Sequence, residues 1–314
     1  MAKKEGDSWL VRLFRIIGAV FGALVSIIFF LLIMFFLITL FLPGDSLLGG
    51  NVGVVPIKGI ITTGDSASFW EEKGTPSEQI VEWIKEADKS KETKAILLEI
   101  DSPGGSPVAT EEIARAVKDA NKTVVAVIRE TGASGAYWVA SAADYIFASK
   151  MSLTGSIGVA GSRLEFAGLL KDYNVTYRRL VSGKYKDAGT RWKEMTPEEE
   201  ELFQKMLDEV HTEFIHAVAE NRNLPVEKVK ELAHGFVFTG AQAKELGLVD
   251  AIGNKDDAIK YIEQKLNITA ETYEFKPTKS LFEEIIGISS QNIGYGIGTA
   301  LTKASISESV KITT

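Results

Sequence analysis

A serine within a run of small residues is the first candidate for chemistry in this sequence. Ser134 has glycine and alanine as its neighbours in residues 131–136, so its hydroxyl would be sterically open. Residues 123–128 before it are typical of a strand, and residues 136–143 can begin a helix, whose amino end would place partial positive charge near an oxyanion. Position 136 is alanine, so this is not the G-x-S-x-G turn of α/β hydrolases. The pattern suits a nucleophile, and a packing site for small residues is the structural alternative.

A glycine pair forms the second candidate. Gly104 and Gly105 follow Pro103 at the end of an apolar run over residues 95–100 and precede a helical pattern over residues 110–120. Paired glycines let the backbone bend so that its N–H groups point outward, which an oxyanion hole requires. An ordinary strand-to-helix turn is the alternative.

A serine nucleophile needs a base, and the histidines supply none that the sequence supports. His211 and His216 are five residues apart, whereas zinc peptidases need two histidines at i and i+4 on one helix face. A Ser-His-Asp triad is possible but has no support in the sequence. A lysine can act as a base when burial away from other charges lowers its pKa. Lys184 and Lys186 are the candidates, and a solvated basic loop is the alternative.

Composition excludes several other classes of function. The 314 residues include no cysteine, which removes thiolate nucleophiles, zinc ribbons and iron–sulfur clusters, and three histidines leave little room for a metal site. A formal net charge of −7 and a pI near 5.3 give no general attraction to nucleic acid. The glycine-rich residues 294–298 do not open a βαβ unit, so they predict no dinucleotide site. We therefore expect no cofactor, no metal and no nucleic-acid partner.

The elements that must position these residues alternate between strand and helix. This alternation predicts an α/β domain. Thr196 followed by Pro197 and Glu199 marks a helix start, and an apolar stripe continues to Val218. The sequence predicts strands over residues 52–57, 95–100, 123–128, 145–147 and 156–159, a strand-like run over 176–181, and helices over 77–87, 110–120 and from 196 to 218.

An apolar segment near the amino terminus predicts a membrane anchor. Residues 16–42 contain no charged residue, and as a helix they would exceed the roughly 30 Å hydrocarbon core of a bilayer. The segment is too long for the apolar core of a signal peptide. Four basic residues before it (Lys3, Lys4, Arg12 and Arg15) predict a cytoplasmic amino terminus with the remaining chain on the other side of the membrane.

Taken as an ordered series, the motifs resemble those of the signal peptide peptidase A family in its short, single-repeat form. These are membrane-anchored serine proteases with a Clp-protease/crotonase-like α/β fold of repeated ββα units. The resemblance rests on residues 101–105, 132–136, 154–158, 182–187 and 238–250. It implies Ser134 as nucleophile, Lys186 as base with Lys184 as its rival, and Ser156 as the residue that orients the lysine. Gly104 or Gly105, together with Gly135, would form the oxyanion hole.

The resemblance also implies a role and a domain plan. The role is degradation of cleaved signal peptides by a homo-oligomer, a ring or dome in which the dyad can be shared between subunits. The alternatives are a stomatin-operon type membrane protease, a crotonase-like acyl-CoA enzyme and an inactive scaffold; export and the Ser134/Lys186 pair disfavour the last two. The expected plan is a cytoplasmic segment (1–15), an anchor in the bilayer (16–42), a linker (43–50), a protease domain (51–270) and a tail (271–314).

Overall fold

The computed structural model describes residues 9–41, 49–64 and 74–276, which belong to two compact units divided between Gly49 and Gly50. In the first unit, helix α1 (Trp9–Phe41) confirms the predicted amino-terminal helix. Its residues Leu13–Phe35 are long and apolar enough to cross a membrane. Lys3, Lys4, Leu42, most of the predicted linker and residues 277–314 lie outside the described residues.

The second unit is built on a mainly parallel sheet, which confirms the predicted α/β class. The order of its main path is β10-β1-β4-β5-β6-β9, and β7 pairs with both β5 and β8. A separate pair joins β2 and β3. The strands are β1 (Val52–Lys58), β2 (Ile61–Thr62), β3 (Thr75–Pro76), β4 (Ala95–Ser102), β5 (Thr123–Ala133), β6 (Tyr145–Ala148), β7 (Leu153–Gly155), β8 (Val237–Thr239), β9 (Ala251–Ile252) and β10 (Thr272–Glu274).

Helices alternate with these strands, and several begin at side-chain caps that the sequence encodes. Ser106 accepts a hydrogen bond from the Ala109 N–H, and Thr196 forms a capping box with Glu199. The helices are α2 (Ser77–Lys89), α3 (Pro107–Lys118), α4 (Gly135–Ser141), α5 (Ala167–Asp172), α6 (Pro197–Arg222), α7 (Val226–Leu232), α8 (Gly240–Leu246) and α9 (Lys255–Leu266).

The central strands are buried on both faces, as their near-continuous apolar sequences predict. Residues 95–100 of β4 and 124–128 of β5 are all buried. One set of alternating side chains, which includes Leu97 and Val125, packs against Ala258 and Ile262 of α9. Apolar burial therefore fixes the strands that lead to Ser134 and to the loop that contains Gly104 and Gly105, called the glycine loop below.

Strand β5 changes partners along its length, and this change sets up the site. Its residues Val125–Ile128 pair with β6, whereas Thr131–Ala133 pair with β7. The register with β4 also shifts between Ile100 and Ser102. The ends of β4, β5 and β7 are thereby brought together next to Ser134.

Four local predictions differ from the structure. Residues 156–159 form no strand, because β7 ends at Gly155, and residues 176–181 adopt no strand either. The helix predicted over residues 77–87 extends to Lys89, and the hydroxyl of its first residue, Ser77, donates to Glu112. The domain also continues past residue 270, since β10 pairs with β1 and Phe275 is buried. Only Val52–Val54 of β1 pair with β10. Pro56, which has no N–H to donate to a neighbouring strand, lies in the part of β1 that pairs with β4 alone.

Candidate active site

Ser134 occupies a strained turn between β5 and α4. Its φ of 53° and ψ of −127° lie where residues other than glycine are rare. The turn is held by the Ser134 N–H, which donates to the Gly155 carbonyl at 2.8 Å, and by the Ser134 carbonyl, which accepts from Tyr137 and Trp138. The side chain makes no capping bond and is partly exposed. The hydroxyl is therefore free to meet a substrate at the amino end of a helix.

The glycine loop is fixed against β2 by main-chain hydrogen bonds. Ile61 donates from its N–H to the Gly104 carbonyl and accepts at its own carbonyl from Ser106, both at 2.9 Å. The Gly104 N–H donates to Ser102 Oγ at 3.1 Å. Gly104 has a φ of 99°, and a Cβ there would lie 2.6 Å from the Gly135 nitrogen. The loop thus packs directly against the turn that carries Ser134 and needs glycine to do so.

Two main-chain N–H groups next to Ser134 stay available. Within the described residues, neither the Gly105 nor the Gly135 N–H has a hydrogen-bond acceptor. A Cβ built on Gly135 would lie 3.4 Å from the Gly105 nitrogen, so the two glycines face each other. Such paired donors beside a hydroxyl can stabilise a negatively charged oxygen.

These groups open into a cavity of about 230 Å³ whose lining residues include no charged side chain. Trp138 of α4 stacks on Phe214 of α6, with ring centroids 4.9 Å apart, and both rings line the cavity. No role for these two aromatic residues was predictable from the sequence, because the stripe on α6 is typical of an ordinary core helix. The full lining consists of Gly105, Pro107, Thr110, Ser134, Gly135, Trp138, Gly158, Val159, Ala160, Val210 and Phe214.

The two candidate lysines have different surroundings, and neither lines this cavity. Lys184 Nζ lies 2.7 Å from both carboxylate oxygens of Glu198. This hydrogen bond to Glu198, with a further contribution from Tyr185, raises the pKa of Lys184 above its ordinary value. Lys186 is exposed, and its ammonium has no hydrogen-bond or ion-pair partner among the described residues. The single chain therefore does not bring Lys186 to Ser134.

Ser156 lies close to the nucleophile through the backbone. It follows Gly155, the acceptor for the Ser134 N–H, and has a φ of 51°. Its Oγ donates to the Gly235 carbonyl at 2.9 Å, and its N–H donates to Phe236. The Ser156 oxygen therefore keeps its lone pairs to accept a hydrogen bond from an amine.

The sequence of this chain is similar to a peptidase family and to proteins named as proteases. Residues 116–269 match the model of peptidase family S49. The chain is 38% identical over 223 residues to the Methanocaldococcus jannaschii protein named "Putative protease MJ0651", which covers 69% of this chain and 70% of that protein. It is 35% identical over 254 residues to the chloroplastic serine protease SPPA of Arabidopsis thaliana and 34% identical over 220 residues to protease 4 of Salmonella typhi. Those matches cover 78% and 69% of this chain but only 36% and 34% of the two longer relatives.

Proposed function

This chain belongs to peptidase family S49, the family of signal peptide peptidase A, and we propose that it is a membrane-anchored serine endopeptidase that degrades cleaved signal peptides with a Ser134/Lys186 dyad. The observation that carries the proposal is the turn at Ser134. A strained, partly exposed serine lies there beside the unused N–H groups of Gly105 and Gly135. This is the arrangement that acyl transfer to a serine requires.

In the proposed reaction, Ser134 Oγ attacks the carbonyl carbon of the scissile bond while the neutral amine of Lys186 takes the hydroxyl proton. The carbonyl oxygen becomes an oxyanion that accepts from Gly105 and Gly135. Gly104 is the weaker candidate because its N–H already donates to Ser102. The Lys186 ammonium then protonates the leaving amine as the C–N bond breaks. Lys186 then deprotonates a water molecule that attacks the ester carbonyl, and it returns this proton to Ser134 Oγ as the bond between the acyl carbon and Oγ breaks and the acid product leaves.

The surroundings of the lysines support Lys186 as the base. Lys184 is a poor base because Glu198 favours its protonated form. Lys186 has no such partner among the described residues, yet it lies outside the cavity of Ser134. We infer that Lys186 reaches Ser134 of a neighbouring copy, where Ser156 accepts a hydrogen bond from it and orients it.

The cavity walls support an apolar substrate. Trp138, Val159, Val210 and Phe214 surround the space next to Ser134, and none of the residues that line it carries a charge. A signal peptide has an apolar central segment that such walls would bind by excluding water. Helix α1, as a membrane anchor, would keep the enzyme where these peptides remain after cleavage.

The test uses the full chain in detergent micelles and a synthetic signal peptide. We expect fragments from the signal peptide and much slower cleavage of a polar peptide of the same length. Ser134→Ala should cleave neither. Equal cleavage of both peptides would contradict the proposed substrate while leaving the peptidase intact. Undiminished cleavage by Ser134→Ala would contradict the proposed mechanism.

A further inference from the structure

The hydroxyl of Thr110 is buried next to the proposed catalytic groups and has no partner. Thr110 lies on α3 with no exposed surface, and its Oγ1 makes no hydrogen bond within the described residues. A helical threonine usually donates to the carbonyl four residues earlier. Here the Ser106 carbonyl accepts from the Thr110 N–H at 2.9 Å but not from its hydroxyl. An unpartnered buried hydroxyl is unfavourable for folding, so its presence needs another reason.

The position of this hydroxyl supplies that reason. A Cβ built on Gly135 would lie 2.3 Å from Thr110 Oγ1 and 3.4 Å from the Gly105 nitrogen. The hydroxyl therefore lies against the Cα atom of Gly135, on the side that faces the Gly105 N–H. Thr110 also lines the cavity that contains Ser134. The Thr110 hydroxyl thus lies just beneath the wall of this cavity, close to the backbone of Gly135 and Gly105.

We propose that Thr110 is a further catalytic residue whose hydroxyl, covered in the free protein, becomes accessible when a peptide binds and donates a third hydrogen bond to the oxyanion formed when Ser134 attacks the peptide carbonyl. This inference rests on the proposed function. A neutral hydroxyl suits the task because it strengthens its interaction as negative charge develops on the oxygen, with no change in its own protonation. The proton stays on Thr110 throughout. Glycine at position 135 is then required in part to make room for this hydroxyl.

The test compares Thr110→Val, which removes the hydroxyl at constant shape, with Thr110→Ser, which keeps it. With the full chain in detergent, we expect Thr110→Val to lower kcat about 100-fold with little change in KM, and Thr110→Ser to retain most activity. Inhibition by a peptide aldehyde, which forms an oxyanion on Ser134, should weaken to a similar extent in Thr110→Val. The melting temperature of Thr110→Val should not fall, because no hydrogen bond within the described residues is lost.

Thr93→Val is the matched control. Thr93 is equally buried, but its hydroxyl is hydrogen-bonded to that of Tyr273 at 2.6 Å. Thr93 precedes the start of β4, whereas the glycine loop follows the end of that strand. We expect this variant to lower the melting temperature and leave kcat unchanged. Normal kcat in a folded Thr110→Val, or a loss confined to KM, would overturn the role of Thr110. If Thr110→Val does not fold, normal aldehyde inhibition of Thr110→Ala would overturn it. If the Ser134→Ala variant keeps the activity of the wild-type protein, the proposed function is overturned as well.

Discussion

At the scale of single residues, two lysines that are neighbours in sequence differ in their charge environment. Lys184 is paired with Glu198, whereas Lys186 has no partner among the described residues. We expect Lys186→Ala to lower kcat by at least about 1000-fold, because a member of the dyad acts as a unit with Ser134. Lys184→Ala should retain most of the activity. Peptide hydrolysis by the full chain measures both, and inactive Lys184→Ala beside active Lys186→Ala would reverse the assignment.

A buried carboxylate predicts how stability depends on pH. Burial alone would raise the pKa of Glu99, but hydrogen bonds from Lys255 and Arg129, at 2.7 and 2.6 Å, outweigh it, and the pKa is lowered. A lowered pKa stabilises the fold above the unfolded value of about 4.3, and this contribution is lost as the pH falls through the folded value. We expect Glu99→Gln to reduce the free energy of unfolding by about 2 kcal/mol at pH 7, with the difference closing in acid.

Thermal unfolding of both proteins at neutral and acidic pH tests this expectation. Glu99→Asp is a suitable comparison because it keeps the charge and shortens the reach to Lys255 and Arg129. A difference between wild type and Glu99→Gln that stays constant with pH would show that ionisation of Glu99 contributes nothing.

Residue roles were predictable from the sequence where they depend on local neighbours. The small residues around Ser134 indicate an open hydroxyl without any tertiary information. The sequence does not show whether Gly104 or Gly105 supplies the N–H group of the oxyanion hole. That choice depends on the hydrogen bond from the Gly104 N–H to Ser102 Oγ and on the contact of the loop with Ile61, a residue far away in the sequence. Thr110 carried no signal, since its significance lies in its contact with Gly135.

At the scale of elements, the contact between the glycine loop and β2 should be intolerant of any side chain at position 105. A Cβ on Gly105 would lie 2.0 Å from the Ile61 carbonyl oxygen, and this backbone cannot yield without breaking its bonds to the loop. We expect Gly105→Ala to displace the loop and lower kcat at least about 100-fold, as loss of an oxyanion donor does. Peptide hydrolysis and a thermal melt measure the effect.

Gly64→Ala is the control from the same segment. Gly64 is three residues beyond Ile61, and a Cβ there would meet no atom of the described residues within 4 Å. This variant should keep wild-type activity and melting temperature. Full activity in Gly105→Ala would show that the loop geometry is not required.

Elements were predictable in proportion to the length of their patterns. Strands β4 and β5 follow from long apolar runs, and α6 follows from its capping box. Strands β7 and β10 have three residues each, which is too short to show an alternating apolar pattern. Each forms because it pairs with a longer strand, β7 with β5 and β10 with β1. The apolar stripe on α6 is buried only toward its end, at Phe214 and Val218, whereas Met206 is 60% exposed.

At the scale of the whole molecule, apolar side chains remain exposed in the segment that precedes Lys186. Leu180 is 95% exposed and Leu164 is 73% exposed. We expect these residues to be covered when copies of the chain assemble and share the dyad. Ser134→Ala and Lys186→Ala, each inactive alone, should then recover about a quarter of wild-type activity when co-expressed in equal amounts, if assembly is random.

The matched control pairs Ser134→Ala with the double variant that lacks both residues, and it should recover nothing. Absence of recovery from the two single variants, in a sample whose size confirms mixed assembly, would place both dyad members in one chain. The sequence alone left this question open, because the separation of Ser134 and Lys186 along the chain fits either arrangement.

The central claim is that Ser134 is the nucleophile of a serine peptidase, and covalent labelling tests it most directly. The full chain in detergent is treated with a fluorophosphonate, and the modified peptide is identified by mass spectrometry. We expect one modified residue, Ser134, no labelling of Ser134→Ala, and labelling of Lys186→Ala that is slower than that of wild type. A label on another residue, or equal labelling of wild type and Ser134→Ala, would contradict the claim.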